Sequence, residues 1–176
     1  MGIEIEKKFI TKDIPFDLSS FPHHEIEQGY LNVHPAVRIR KEDEAYYMTY
    51  KANKENYSGI GKTEYNMELD RESYEHLRTK VDGNIITKKR YILPINKDGF
   101  AKEYLESHEL LEKAVKNGDI KIELDVFEGV FEGRILAEIE FPDEDAAANY
   151  HMADWFLEDV TGDPKYSNSQ MSREQV

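Results

Sequence analysis

Short segments that alternate charged and apolar residues recur along this chain. Residues 3–9 read IEIEKKF, so a strand here would carry Glu4, Glu6 and Lys8 on one face and isoleucines on the other. Two neighbouring carboxylates on a strand face repel each other. Unpaired buried charge is costly, so this face must be wet, ion-paired or bound to a ligand.

The period-two pattern predicts eight strands. They cover residues 2–10, 26–33, 36–41, 45–52, 62–69, 84–95, 120–128 and 130–141. Helical patterns predict three helices, at 71–81, 100–117 and 143–160. Turn-rich segments separate the strands, and neither an internal repeat nor a low-complexity linker is found. We therefore expect one domain over residues 1–176.

The acidic composition limits the partners that the chain can bind. It has 36 Asp and Glu residues against 23 Lys and Arg, a formal net charge of -13, which argues against general binding to nucleic acid or to anionic lipid. It has no cysteine, so disulfides and thiolate metal sites are excluded. The charged start MGIEIEKK does not resemble a signal peptide, and no apolar run approaches the roughly 20 residues of a membrane span. We expect a soluble cytoplasmic protein.

The charges that share a strand face are mostly of one sign. For a single strand, the ordinary interpretation is a solvated sheet face. Here, however, one-signed blocks repeat on separate strands, and roughly eight strands can close a barrel with one shared interior. The acidic pairs are Glu4 and Glu6, Glu64 and Glu68, Glu123 and Asp125, and Glu138 and Glu140; the basic pairs are Arg38 and Arg40, and Lys88 and Arg90.

This arrangement predicts an α+β fold, an eight-stranded antiparallel β-barrel or tunnel with a charged lumen, covered outside by α-helices. The three predicted helices are available to cover the outward apolar faces. Those faces would carry Ile3, Ile5, Val37, Ile39, Leu124, Val126, Ile139 and Phe141.

The two kinds of charge predict complementary binding roles. Carboxylates without His or Cys suit Mg²⁺ or Mn²⁺, and Glu4 and Glu6 would lie about 6.5–7 Å apart along a strand. Glu138 and Glu140 could complete the ligand set from a neighbouring strand. The basic side chains would bind a polyanion from several directions; they are Lys8, Arg38, Arg40, Lys51, Lys88 and Arg90. Together they indicate metal-assisted phosphoryl chemistry.

EIEKK, with Glu4, Glu6 and Lys8, resembles the ExExK signature of the CYTH superfamily, the triphosphate tunnel metalloenzymes. The similarity continues in the same order through VRIRK, TYK, TEYN, KKRY, IELDVFEG, LAEIEF and DWFLEDVTGDPKYSNS, over nearly the whole chain. It implies an eight-stranded tunnel in which metal ions and a triphosphate meet. Members include inorganic, thiamine and RNA triphosphatases and class IV adenylyl cyclases.

The resemblance also implies roles for individual residues. Glu4, Glu6 and Glu140 match metal-site positions, with Glu138 beside them, and two Mg²⁺ or Mn²⁺ ions are expected. Lys8 and the other basic residues match triphosphate-contacting positions. Glu64 and Asp125 would hold a second metal or orient the attacking water, which completes a catalytic set of Glu4, Glu6, Lys8, Glu64 and Asp125. Asn66 stands where many relatives carry a further acid.

The sequences of these motifs resemble those of the bacterial inorganic triphosphatase branch of the superfamily. This resemblance implies hydrolysis of inorganic triphosphate to pyrophosphate and phosphate by metal-activated water, in a monomer or homodimer. The alternatives are an adenylyl cyclase that converts ATP to cyclic AMP and pyrophosphate, and a thiamine or nucleoside triphosphatase. A non-catalytic phosphate-binding module would not need the acids of the metal site, so Glu4 and Glu6 argue against it.

Overall fold

Ten strands form one antiparallel sheet in a computed structural model that describes residues 2–53 and 61–176. The strands are β1 (Gly2–Glu4), β2 (Glu6–Thr11), β3 (His23–Val33), β4 (Ala36–Glu42), β5 (Ala45–Asn53), β6 (Lys62–Glu68), β7 (Asp82–Pro94), β8 (Lys121–Glu128), β9 (Ile135–Glu140) and β10 (Phe156–Asp159). The helices are α1 (Arg71–Arg78), α2 (Lys102–Ser107), α3 (Glu109–Asn117), α4 (Glu144–Asn149) and α5 (Asn168–Met171). Short 3₁₀ turns cover Leu18–Ser20, Gly129–Phe131 and Pro164–Tyr166.

The N-terminal segment contributes to both ends of this sheet. The strand order is β1-β6-β5-β4-β3-β7-β8-β9-β2-β10, so β1 pairs with β6 while β2 pairs with β9. Ile5 separates β1 from β2, and its carbonyl accepts a hydrogen bond from the Phe141 amide at 2.8 Å. The predicted α+β, tunnel-like fold is confirmed, with two changes: backbone hydrogen bonds do not close the sheet, and ten strands replace the expected eight.

Part of the predicted helix 143–160 is wrong. Asp143 caps α4 by accepting a hydrogen bond from the Ala146 amide at 2.7 Å, but the helix ends at Asn149. Phe156–Asp159 instead forms β10 along the edge of β2. The Phe156 ring stacks on Phe9 with centroids 4.6 Å apart. Tertiary packing of this aromatic pair overrides the local helical pattern.

The other predicted helices are confirmed with changed boundaries. The helix predicted at 71–81 is α1, which Asp70 caps through the Ser73 amide at 2.7 Å. The helix predicted at 100–117 is divided at His108 into α2 and α3. Gly118, in the left-handed conformation at φ 77°, ends α3 as expected. The strand predicted at 130–141 begins only at Ile135 because the 3₁₀ turn precedes it.

Apolar packing lies on the outside of the curved sheet. The largest cluster joins β2, β7, β8 and β9 to α3 and α4, and α1 covers a smaller cluster around Ile39 and Tyr46. Most apolar residues predicted to face outward are buried there or half-buried. Ile3 is the exception among them, since 54% of it is exposed. None of the helices in the described ranges is long and apolar enough to cross a bilayer.

Candidate active site

A cavity of about 1270 Å³ lies on the concave side of the sheet. Because side chains alternate along each strand, most of the paired charges point into this space. It is lined by the predicted site residues Glu4, Glu6, Lys8, Arg38, Arg40, Lys51, Glu64, Arg90, Glu138 and Glu140. The structure therefore brings together all the predicted residues except Lys88 and Asp125.

Three carboxylates converge on the ammonium of Lys51 at one side of the cavity. Its Nζ contacts Glu4 and lies 3.6 Å from a Glu6 oxygen and 3.9 Å from a Glu64 oxygen. Burial and then the charge of Glu6 raise the pKa of Glu4 to about 7, although Lys51 opposes this shift. Burial and then Glu123 raise the pKa of Glu140. Negative charge is therefore concentrated where a cation can be bound.

The carboxylate oxygens at this place suit a hard divalent cation as metal ligands. Within the described ranges, no group of three or more His, Cys, Asp or Glu side chains is already arranged around a common metal position. Nevertheless, Glu4, Glu6 and Glu64 come from three strands and surround a cationic group, and carboxylate oxygens are the ligands that Mg²⁺ and Mn²⁺ prefer. The chemistry of these residues therefore fits the predicted metal.

Arg90 is the centre of a second charged network. Its guanidinium donates to both oxygens of Asp125, at 2.6 and 2.7 Å, and to Glu138 at 2.6 Å. It also contacts Glu123. The Lys8 ammonium binds the other oxygen of Glu138 at 2.8 Å. Although burial opposes it, the cations Lys8 and Arg90 hold the pKa of Glu138 well below its usual range.

Lys88 and Asp125 form an ion pair with both side chains fully buried, and neither lines the cavity. Lys88 also donates to the side-chain oxygen of Asn168 in α5 at 3.4 Å. Despite its burial, Asp125 keeps a lowered pKa because Arg90 and then Lys88 lie against it. The predicted contact of Lys88 with substrate and the predicted catalytic role of Asp125 stay predictions, since both groups are already satisfied by protein partners.

The two arginines of β4 differ in how completely they are bound. Arg40 donates twice to Gln28, at 3.0 and 2.8 Å, and once to Tyr47 at 3.1 Å. Arg38 donates to Thr49 at 3.2 Å, but its buried Nε has no hydrogen-bond partner among the described residues. A buried donor without a partner costs about 1–3 kcal/mol. The Arg38 Nε can therefore donate to an acceptor that the described residues do not supply.

The sequence reasoning missed several residues of this site. Gln28, Tyr47 and Lys62 line the cavity or hold a lining residue, and their phase within the predicted strands could have identified them. The C-terminal segment also reaches the cavity, where the Tyr166 carbonyl accepts from Lys8 at 3.3 Å. That segment carries no strand periodicity, and only its family-like DPKYSNS indicated that Lys165 and Tyr166 could approach the tunnel.

Comparisons with known proteins give relatives over nearly the full length of the chain. No family model matches it. An inorganic triphosphatase of Nitrosomonas europaea is 30% identical over 173 residues, which cover 96% of both proteins. An inorganic triphosphatase of Acetivibrio thermocellus is 33% identical over 174 residues, which cover 97% of this chain and 94% of that protein.

Solved structures show the same fold. A crystal structure of an inorganic triphosphatase matches with a TM-score of 0.62 at 28% identity, and the match covers 99% of this chain and 97% of that one. A conserved hypothetical protein from Pyrococcus furiosus matches with a TM-score of 0.52 at 21% identity, covering 83% and 85% of the two chains. At that identity, the second likeness concerns the fold alone.

Proposed function

The chain belongs to the inorganic triphosphatases of the CYTH superfamily, and from this premise we propose that it hydrolyses inorganic triphosphate to pyrophosphate and phosphate. The observation that carries the proposal is a single cavity in which converging carboxylates face unsatisfied basic groups. Three carboxylates surround the Lys51 ammonium, and Arg38, which lines the same cavity, has a buried Nε without a partner among the described residues. A metal-bound polyphosphate satisfies both halves of such a site.

Mg²⁺ or Mn²⁺ would be held by Glu4, Glu6, Glu138 and Glu140. Glu64 lies close to Glu4 and Glu6, because all three contact Lys51. Two ions are proposed from the family resemblance. When bound, the metal supplies charge neutralisation on the phosphate oxygens and activation of the attacking water. No protein nucleophile is required.

The basic residues hold the phosphate chain. Arg38 can offer Nε, and Lys51 and Lys8 offer ammonium groups that are charged at neutral pH, since neighbouring carboxylates raise their pKa against the effect of burial. Fixing the phosphates in line supplies much of the catalysis in phosphoryl transfer, because little covalent chemistry remains for the protein. We propose that Lys88 and Asp125 act by positioning Arg90, which Asp125 holds through two hydrogen bonds.

A substrate panel tests this function. The protein is incubated with tripolyphosphate, ATP or thiamine triphosphate in Mg²⁺ or Mn²⁺, and phosphate, pyrophosphate and cyclic AMP are measured. We expect tripolyphosphate to be hydrolysed fastest, with equal yields of phosphate and pyrophosphate. Formation of cyclic AMP from ATP as the main reaction would overturn the proposal in favour of a cyclase. The cytoplasmic location and the monomeric or homodimeric state stay predictions.

A further inference from the structure

Lys62 lines the cavity but is not one of the residues that the motifs identify. It begins β6, in phase with Glu64, so its side chain points to the concave face of the sheet. In the sheet it lies between Glu4 of β1 and Asn53 of β5. Lys62 is therefore placed beside the carboxylate cluster, close to the end of the strand pair β5 and β6.

The pairing of Lys62 differs from that of three other lysines whose side chains point to this face of the sheet. Lys8 binds Glu138, Lys51 contacts Glu4, and Lys88 binds Asp125. Across residues 2–53 and 61–176, the Lys62 side chain makes neither a hydrogen bond nor an ion pair, and its interactions with Lys51, Glu6 and Glu4 are longer-range electrostatic ones. None of these residues therefore binds its ammonium directly.

The surroundings of Lys62 disfavour its charge. Burial and then the nearby Lys51 ammonium lower its pKa, and Glu6 and Glu4 compensate this only in part. Desolvating a cation without a close partner is unfavourable in folding. Lys62 lines the cavity beside the carboxylate cluster, and this placement makes it a candidate for ligand binding.

A second unsatisfied donor lies on the same side of the cavity. Arg38 is on β4, Lys51 on β5 and Lys62 on β6, three neighbouring strands. The buried Arg38 Nε lacks a partner among the described residues, so incompletely bound cationic groups stand on both sides of Lys51. Because neighbouring strands lie about 4.8 Å apart, one extended polyanion can reach all three strands.

We propose that Lys62 is a further binding residue for the triphosphate, which contacts the phosphate chain together with Arg38 and Lys51. The inference rests on the proposed function and adds a residue to it. A purely structural role is the competing explanation, in which Lys62 only offsets the negative charge of Glu4 and Glu6. The two explanations differ in their effect on ligand binding and on folding.

The experiment measures binding of tripolyphosphate by calorimetry without divalent metal, and then the hydrolysis kinetics with Mg²⁺. Lys62→Gln should weaken the affinity about 10-fold, as expected for the loss of one charge-assisted contact. It should raise KM about as much and leave kcat within about threefold, because the contact exists before the chemical step. Lys62→Arg should recover most of the affinity.

The matched control is Lys89→Gln, which removes a lysine that pairs with Glu128 and does not line the cavity. Its tripolyphosphate affinity should remain that of the unmodified protein. Equal losses of tripolyphosphate affinity in Lys62→Gln and Lys89→Gln would show that the effect comes from net charge alone and would overturn the inference. Unchanged binding of tripolyphosphate by Lys62→Gln would overturn it as well. A Lys62→Gln protein that fails to fold would also overturn it, because an unpaired lysine should not be needed for folding.

The wild-type result separates the two proposals. If the unmodified protein neither binds nor hydrolyses tripolyphosphate, the proposed function fails and this inference fails with it. If the unmodified protein does both and Lys62→Gln matches it, only the role of Lys62 is rejected.

Discussion

The two sides of the cavity wall differ in how completely their charged side chains are paired. On the side formed by β7, β8, β9 and β2, hereafter the paired side, Arg90 and Lys8 are bound by Asp125 and Glu138 at 2.6–2.8 Å. On the side formed by β4, β5, β6 and β1, hereafter the unpaired side, Arg38 keeps a free Nε and Lys62 lacks a partner among the described residues. The first side therefore pairs these cations closely with carboxylates, whereas the second combines the bound Lys51 and Arg40 with the less completely bound Arg38 and Lys62.

The outer surfaces of these two sides also differ, in how much of their apolar surface is buried. The paired side is packed beneath α3 and α4, with Leu124, Ala137 and Ile139 fully buried. The unpaired side exposes apolar residues on its outer face, Ile3, Tyr50, Tyr65 and Met67. Both sides line the cavity, but the comparison indicates that the ion pairs of the paired side contribute more to the stability of the fold than the charged groups of the unpaired side do. Substitutions on the two sides should therefore affect different measurements.

The largest expected effect is on the stability of the paired side. Asp125→Ala leaves Lys88 and Arg90 buried without their main carboxylate, and breaking a buried ion pair in this way costs about 3–5 kcal/mol. Urea unfolding measures this loss. Glu64→Gln on the unpaired side is the control and should cost less than about 1 kcal/mol, because Glu64 contacts Lys51 only at 3.9 Å. Equal losses at the two positions would remove the distinction between the sides.

Arg38→Ala should produce the next largest effect, on activity and not on stability. Because hydrogen bonds to charged groups contribute about 1.5–3 kcal/mol, we expect kcat/KM for tripolyphosphate to fall about 10- to 100-fold. The free energy of unfolding should stay within about 1 kcal/mol, since the substitution removes one hydrogen bond to Thr49 together with a buried Nε that has no partner among the described residues. Arg134→Ala, which breaks an exposed ion pair with Glu174, should leave the kinetics unchanged. A strongly destabilised Arg38→Ala protein would contradict the comparison.

Glu4→Gln should weaken metal binding more moderately. It replaces one of the three carboxylates around Lys51 with a neutral amide, and we expect the affinity for Mn²⁺, measured by calorimetry, to fall about 10-fold. The outer-face variant Glu128→Gln should bind Mn²⁺ as the unmodified protein does. An unchanged Mn²⁺ affinity in Glu4→Gln would remove Glu4 from the metal site.

The strand periodicity predicted much of this site because alternation alone decides which side chains point inward. It correctly placed Glu4, Arg38 and Glu140 around one cavity. Periodicity does not indicate how deeply a side chain lies behind its neighbours, so it could not separate the buried Lys88 and Asp125 from the lining residues. In the structure, Asp125 lies opposite Arg90 in the register of β8 against β7, and Lys88 donates to Asn168 of α5 at 3.4 Å.

The parts of the fold that depend on long-range packing were predicted least well. The segment 150–160 carries a helical pattern, yet Phe156 is held against Phe9 at the edge of β2. The docking of α5 is similar, since the Asn84 amide donates to the Ser172 carbonyl at 2.7 Å across 88 residues of chain, that is 172 − 84. Contacts between residues so distant in sequence have no local signature in composition or periodicity.

The smallest expected effect is on the free energy of unfolding, from substitutions on the outer faces of the two sides of the sheet. Met67→Gln places an amide on the unpaired side where 52% of the methionine is exposed, so the free energy of unfolding should change by no more than about 0.5 kcal/mol. Ile139→Val on the paired side removes only one methylene, but from a fully buried position, and should cost about 0.5–1.5 kcal/mol. Urea unfolding of both variants at one low protein concentration gives the comparison. A larger loss for Met67→Gln than for Ile139→Val would show that the exposed apolar surface of the unpaired side is covered in the folded protein.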